Sequence, residues 1–118
     1  MDASLIVSSF DRFMLPAPIV TVDGTSTIIW LAGEQDSGVV EALNAALVEA
    51  LSSPTTEPRE VIVDLRAVTF IDSSTAGALI DATLLQPGSW LTLTLRAPSA
   101  CVRRMFVICG RSDLLDIA

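Results

Sequence analysis

The chain has 118 residues, a common size for one domain and long enough to bury a core; 51% of it is hydrophobic. No apolar run reaches the ~18 residues that span a bilayer, and the start Met1-Asp2-Ala3-Ser4 lacks the positive region and long apolar stretch of a secretory signal. A soluble, cytoplasmic protein without membrane insertion is expected. Fourteen acidic residues against seven arginines and no lysine leave a net charge of −7, which argues against direct nucleic-acid binding and either attracts a basic protein partner or simply keeps a rather apolar chain soluble.

Taken in chain order, residues 1–17 contain Leu5-Ile6-Val7, Phe10 and Phe13-Met14-Leu15 and are expected to form an N-terminal extension or an edge strand. A domain over 18–118 follows. Ile19 to Val22 and Thr27 to Ala32 read as strands around the turn Asp23-Gly24-Thr25-Ser26, a hairpin. Val39 to Leu51 is a helix with Val39, Leu43, Leu47, Ala50 and Leu51 on one face, opened by Asp36 or Ser37 and followed by a Pro-containing loop, Ser53 to Pro58. Glu60 to Leu65 is the next strand, a β-branched run of the kind buried on both faces, and Val68, Phe70 and Ile71 extend its apolar character as far as Asp72.

Asp72 stops that strand, and a helix begins there, with Ala76, Leu79, Ile80, Thr83 and Leu84 at helical spacing. Either Asp72 or Ser73 can be the N-cap, because both side chains accept hydrogen bonds from the free N–H groups of a first turn. Ser73 and Ser74 thereby fall on the first helical turn at the C-terminal edge of a sheet, where open α/β folds place their sites. Gly77 within this helix costs about 1 kcal/mol relative to Ala and suggests close approach, most simply to the sheet. A short connection, Leu85 to Ser89, leads to a strand Trp90 to Leu95 and a last helix, Ser99 to Cys109. The order β-β-α-β-α-β-α predicts an α/β fold, a mixed sheet with helices packed mainly on one side.

The remaining chemistry is narrow. With no histidine, histidine acid–base catalysis and the Ser-His-Asp triad are excluded, and the cysteines Cys101 and Cys109 alone make no zinc site. No P-loop or Gly-rich phosphate cradle is present, so no cofactor, no metal and no enzymatic activity are expected.

The stretch Val61 to Ile80 resembles the core signature of the STAS domain, the family of bacterial anti-sigma factor antagonists and of the C-terminal modules of sulfate transporters. Asp64-Leu65 matches the family's D-L, and Asp72-Ser73-Ser74-Thr75-Ala76-Gly77 matches its D-S-S-G-L-G, with Thr75 where the family usually has Gly. Leu31-Ala32-Gly33-Glu34-Gln35-Asp36 is similar to L-x-G-E-x-D, and Arg111 to Ile117 to the closing segment.

The resemblance implies a partner switch. An antagonist of this kind binds an anti-sigma factor that is itself a serine kinase, and phosphorylation of the second serine, here Ser74, releases it. By the same matching Asp36, Asp72, Ser73, Ser74 and Thr75 form the partner-binding edge, and a serine phosphatase is the implied partner that resets the switch. The alternative is a non-switching STAS subunit scaffolding a transporter or a larger signalling assembly. The sequence does not fix an oligomeric state.

Overall fold

The computed structural model describes residues 17–52, 58–84 and 91–116. Strands β1 (Ile19–Asp23), β2 (Ser26–Gln35), β3 (Arg59–Ile71), β4 (Leu91–Arg96) and β5 (Leu115–Asp116) form one five-stranded sheet in sequence order. Helices α1 (Val40–Ser52), α2 (Ser73–Leu84) and α3 (Ala100–Ile108) join β2 to β3, β3 to β4 and β4 toward β5. Residues 1–16, most of the loop after α1 and the connection expected over Leu85 to Ser89 lie outside the described residues.

The hairpin arises as its turn residues dictate. Asp23 pairs with Ser26 across two residues, and Gly24 takes φ +61 at the first central position, as a type II′ turn requires. Strands β2 to β5 are parallel. Because their order never reverses, right-handed crossovers put all three helices on the same face. That face holds the core: Ile29 and Leu31, Val61, Val63 and Leu65, Leu91 and Leu95 from the sheet meet Leu43 and Leu47, Ala76 and Leu79, Val102 and Phe106 from the helices.

The third strand runs six residues beyond the expected end at Leu65, to Ile71. Its pairing with β2 slips twice, between Trp30 and Ala32 and between Gly33 and Glu34, and each slip gives β3 one extra residue. Leu65, Val68 and Ile71 therefore all reach the core at a spacing of three, whereas a regular strand returns to one face every second residue. Phe70 pays no part in that core: it lies across from Glu34 and is exposed. The short β5 and the 3-10 turn before it (Ser112–Leu114) were not legible as separate elements.

The face of the sheet opposite the described helices carries a charge cluster. Trp30, Asp64 and Arg96 are aligned across three strands. Asp64 is 1% exposed; its Oδ2 accepts from Arg96 Nε at 2.9 Å and pairs with Arg66 Nη2 at 2.9 Å. Arg66 also donates its backbone N–H to Oδ1 at 3.1 Å. The Arg96 guanidinium lies over the Trp30 ring, 5.4 Å from its centroid. Burial pushes the Asp64 carboxyl up, but the two arginines prevail and hold it below its ordinary value.

No helix among the described residues is long and apolar enough to cross a membrane. Cys101 is half-buried in α3 and Cys109 is its exposed C-cap; both are free. Eight helical steps separate them by roughly 12 Å, beyond the ~7 Å that a disulfide tolerates between Cα atoms. Peroxide treatment of the native monomer is expected to leave no Cys101–Cys109 bond by mass spectrometry; finding one would show that α3 opens reversibly.

Candidate functional site

Two loops meet at the C-terminal edge of the parallel strands, Asp36–Val39 after β2 and Asp72 after β3. Asp72 fastens them together. Its N–H donates to the Gln35 carbonyl at 3.1 Å, and the Ser37 N–H lies near enough to its carboxylate to favour the anion. Asp36 organises its own turn, with Oδ1 accepting from the Gly38 N–H at 2.9 Å and its carbonyl from the Val39 N–H at 3.0 Å. The structure thus brings Asp36, Asp72, Ser73 and Ser74 to one edge.

Of the two possible N-caps, Asp72 is the one in place: its Oδ1 accepts from the Thr75 N–H, the third helical position, at 2.9 Å. The same oxygen accepts the Ser74 hydroxyl at 2.9 Å. Ser73 and Ser74 occupy the first and second positions of α2 and are exposed. Burial pushes the Asp72 carboxyl up. The Thr75 N–H, a nearby Thr75 hydroxyl outside good hydrogen-bonding geometry, the Ser74 hydroxyl and the Ser37 N–H outweigh it, so the group lies below its ordinary value. A cap held as an anion at a helix N-terminus is also favoured by the helix dipole.

Thr75 is placed differently from the sequence expectation. It is 0% exposed, so its side chain lies beneath the edge and cannot touch a docked partner in this conformation. The reason is the helical rotation of about 100° per residue, which turns the third position inward when the second faces solvent. Its Oγ1 has no hydrogen-bond partner among the described residues, and neither has Oε1 of the buried Gln35, whose Nε2 donates to the Ala32 carbonyl. Thr75→Val keeps the shape and removes a buried hydroxyl without a partner; it is expected to raise stability by about 1 kcal/mol. Urea unfolding should show a higher midpoint with an unchanged slope, and a lower midpoint would mean that the hydroxyl is satisfied by buried water or by the Asp72 carboxylate it lies near.

Ser74 stands on the rim of a groove of about 580 Å³ between α1 and α2, lined by Asn44, Val48 and Leu51 on one side and Gly77, Ala78 and Asp81 on the other. Gly77 faces this groove and does not meet the sheet: a Cβ built there has nothing within 4 Å. The expectation of close approach was wrong because the small residue opens space between helices. Gln35 is the residue of this edge that sequence reasoning did not single out; in the sequence Ser37 reads only as a helix opener and Gly77 only as a packing residue. Gln35 lay in the matched L-x-G-E-x-D segment, which was the available signal.

The edge is acidic. Arg66, the basic residue nearest to Ser74 in sequence, is committed to Asp64 on the far face of the sheet. Among the described residues no group of three or more His, Cys, Asp or Glu is arranged to hold a metal ion.

Comparison with known proteins bears on this arrangement. No curated protein sequence matches the chain. Among solved structures, the anti-sigma factor antagonist SpoIIAA in its unphosphorylated form is 24% identical with a TM-score of 0.70, over 85% of this chain and 86% of that one. The phosphorylated form of SpoIIAA, a Bacillus cell fate determinant, is 22% identical with a TM-score of 0.65, over 85% and 89%. At these identities the likeness establishes the fold. A family model described as Mlab, STAS domain, matches residues 20–116. On that match, which takes in the sheet, all three helices and the Asp72-Ser73-Ser74 edge, the chain belongs to the STAS domain family.

Proposed function

We propose that the chain is an anti-sigma factor antagonist, a binding module that holds a serine-kinase anti-sigma factor while unmodified and is released when Ser74 is phosphorylated. The observation that carries this reading is the Ser74 hydroxyl: exposed, at the second position of α2, and held on Asp72 Oδ1 at 2.9 Å. In the transfer, Ser74 Oγ forms a bond to the γ-phosphorus of the kinase's ATP, the bond to ADP breaks, and the hydroxyl proton is lost. The ester oxygen can then no longer donate to Asp72.

The new group brings about −1.5 to −2 charges beside the carboxylates of Asp36 and Asp72. The helix N-terminus tolerates an anion there, but among the described residues no arginine is placed to neutralise it inside a contact. The free phosphorylated state is therefore favoured over the bound one. A serine phosphatase would restore the hydroxyl.

In a reaction with a candidate kinase, Ser74→Ala is expected to lose most of the label while still binding, since alanine adds no charge. Ser74→Ala that remains fully labelled would remove Ser74 from the mechanism.

The second reading, a non-switching STAS subunit scaffolding a transporter or larger signalling assembly, is favoured by one feature. The residue after Ser74 is the buried Thr75 where the family usually has Gly, which restricts backbone movement at the acceptor serine. Copurification of the intact chain with membranes or an ATPase subunit, and no labelling by any kinase, would select that reading.

A further inference from the structure

The outward side of α3 is built unlike the rest of this acidic surface. Val102 and Phe106 point into the core and are fully buried. On the opposite side Arg103, Arg104, Val107 and Ile108 line a shallow hollow of about 500 Å³. Their spacing, i, i+1, i+4 and i+5, places all four on one stripe of the helix. Val107 is 65% and Ile108 78% exposed, so two aliphatic side chains stand in water beside two guanidinium groups. Arg66, Arg96 and Arg111 each hold a carboxylate, whereas neither Arg103 nor Arg104 takes part in an ion pair among the described residues.

We propose that this face of α3 is a docking surface for an acidic amphipathic helix of a partner protein. The argument is charge complementarity. Arginine forks take carboxylates in bidentate fashion, and an amphipathic helix lays its apolar stripe against exposed aliphatic side chains. Glutamates one turn apart on the partner would meet Arg103 and Arg104 while its leucines cover Val107 and Ile108.

A second copy of this chain is a poorer occupant, because a symmetric contact would set the two arginine pairs against each other. An anionic bilayer is poorer too. It presents its charge to the whole molecule, whose net charge is −7, and the stripe offers no aromatic anchor. A short helix answers only to the local cations.

The surface is separate from the edge carrying Ser74. Helix α2 lies between the α1–α2 groove and α3, since the helices follow the order of the strands they connect. Docking on α3 is thus expected to be indifferent to the state of Ser74, and the inference does not depend on the proposed function.

The test uses the full chain, isotopically labelled for amide NMR, and as probe an 18-residue helical peptide carrying glutamate and leucine on one face. The peptide is expected to shift the amide signals from Arg103 to Cys109, equally in the wild type and in Ser74→Asp. Arg103→Glu with Arg104→Glu should weaken it at least tenfold, and Val107→Ser with Ile108→Ser likewise; all four positions are exposed, so folding is kept, as circular dichroism would verify. No shift on α3 at millimolar peptide, or unchanged affinity in the charge-reversed variant, would overturn the proposal. So would α3 shifts produced by phosphatidylglycerol vesicles or by raising the protein concentration in place of the peptide.

Discussion

Arg66→Met combined with Arg96→Met is expected to lower the stability of the domain by about 3–5 kcal/mol, the usual consequence of stripping the partners from a buried ion. Asp64 is 1% exposed and accepts from both guanidinium groups; with both gone it must stay charged in a poor solvent or take up a proton. Each single change should matter less. Arg66 is mostly exposed and its loss leaves Arg96 in place, while Arg96→Met also removes the contact over Trp30. Adding Asp64→Leu to the double variant should recover most of the loss, because no ion then needs a partner.

The pH dependence should change sign with it. In the wild type the arginines hold the Asp64 carboxyl below its unfolded value, so its contribution is present above pH ~4 and is lost as pH falls through the folded pKa. In the double variant burial, the largest influence, is opposed only by the backbone N–H of residue 66, so the pKa is raised and acidification through it should stabilise. Urea unfolding of the wild type, the single, double and triple variants checks both statements. A double variant within about 1 kcal/mol of wild type would show that the cluster is not what keeps Asp64 ionised.

Ser74→Asp is expected to bind a kinase-type anti-sigma factor at least tenfold more weakly than the wild type, a loss of about 1.4 kcal/mol or more. The added carboxylate would sit at the exposed second position of α2, beside Asp72 and near Asp36, with no arginine among the described residues of the edge to answer it. A charge left unpaired in a contact is costly. Isothermal calorimetry with wild type, Ser74→Ala and Ser74→Asp should rank the first two together and the third apart. Equal affinity for all three with every candidate kinase would remove the switch.

Much of this was legible in the residues. Asp23-Gly24 specified the hairpin, and the apolar run before Asp72 followed by helical spacing placed the two serines on a first turn. What escaped reading came from tertiary context. The two slips in β3 convert a spacing of two into three, so Leu65, Val68 and Ile71 did not read as one strand face. The strand Leu115–Asp116 is too short to carry a pattern and exists through its pairing with β4. Gly77 has the same identity whether a sheet presses on it or a groove opens beside it, and only the neighbouring helix decides. Family matching put Thr75 on the partner-binding edge, but the Asp72 cap fixes the phase of the helix and turns it inward.

The central claim, that one hydroxyl on this edge carries the switch, is tested most directly by a phosphotransfer reaction with a candidate kinase, followed by phosphopeptide mapping and a binding titration of the product. The account predicts label on Ser74, absent from Ser73 and Thr75, and a product that binds at least tenfold more weakly than the starting protein. Label on Thr75, or a Ser74-phosphorylated chain that stays bound with unchanged affinity, would contradict it.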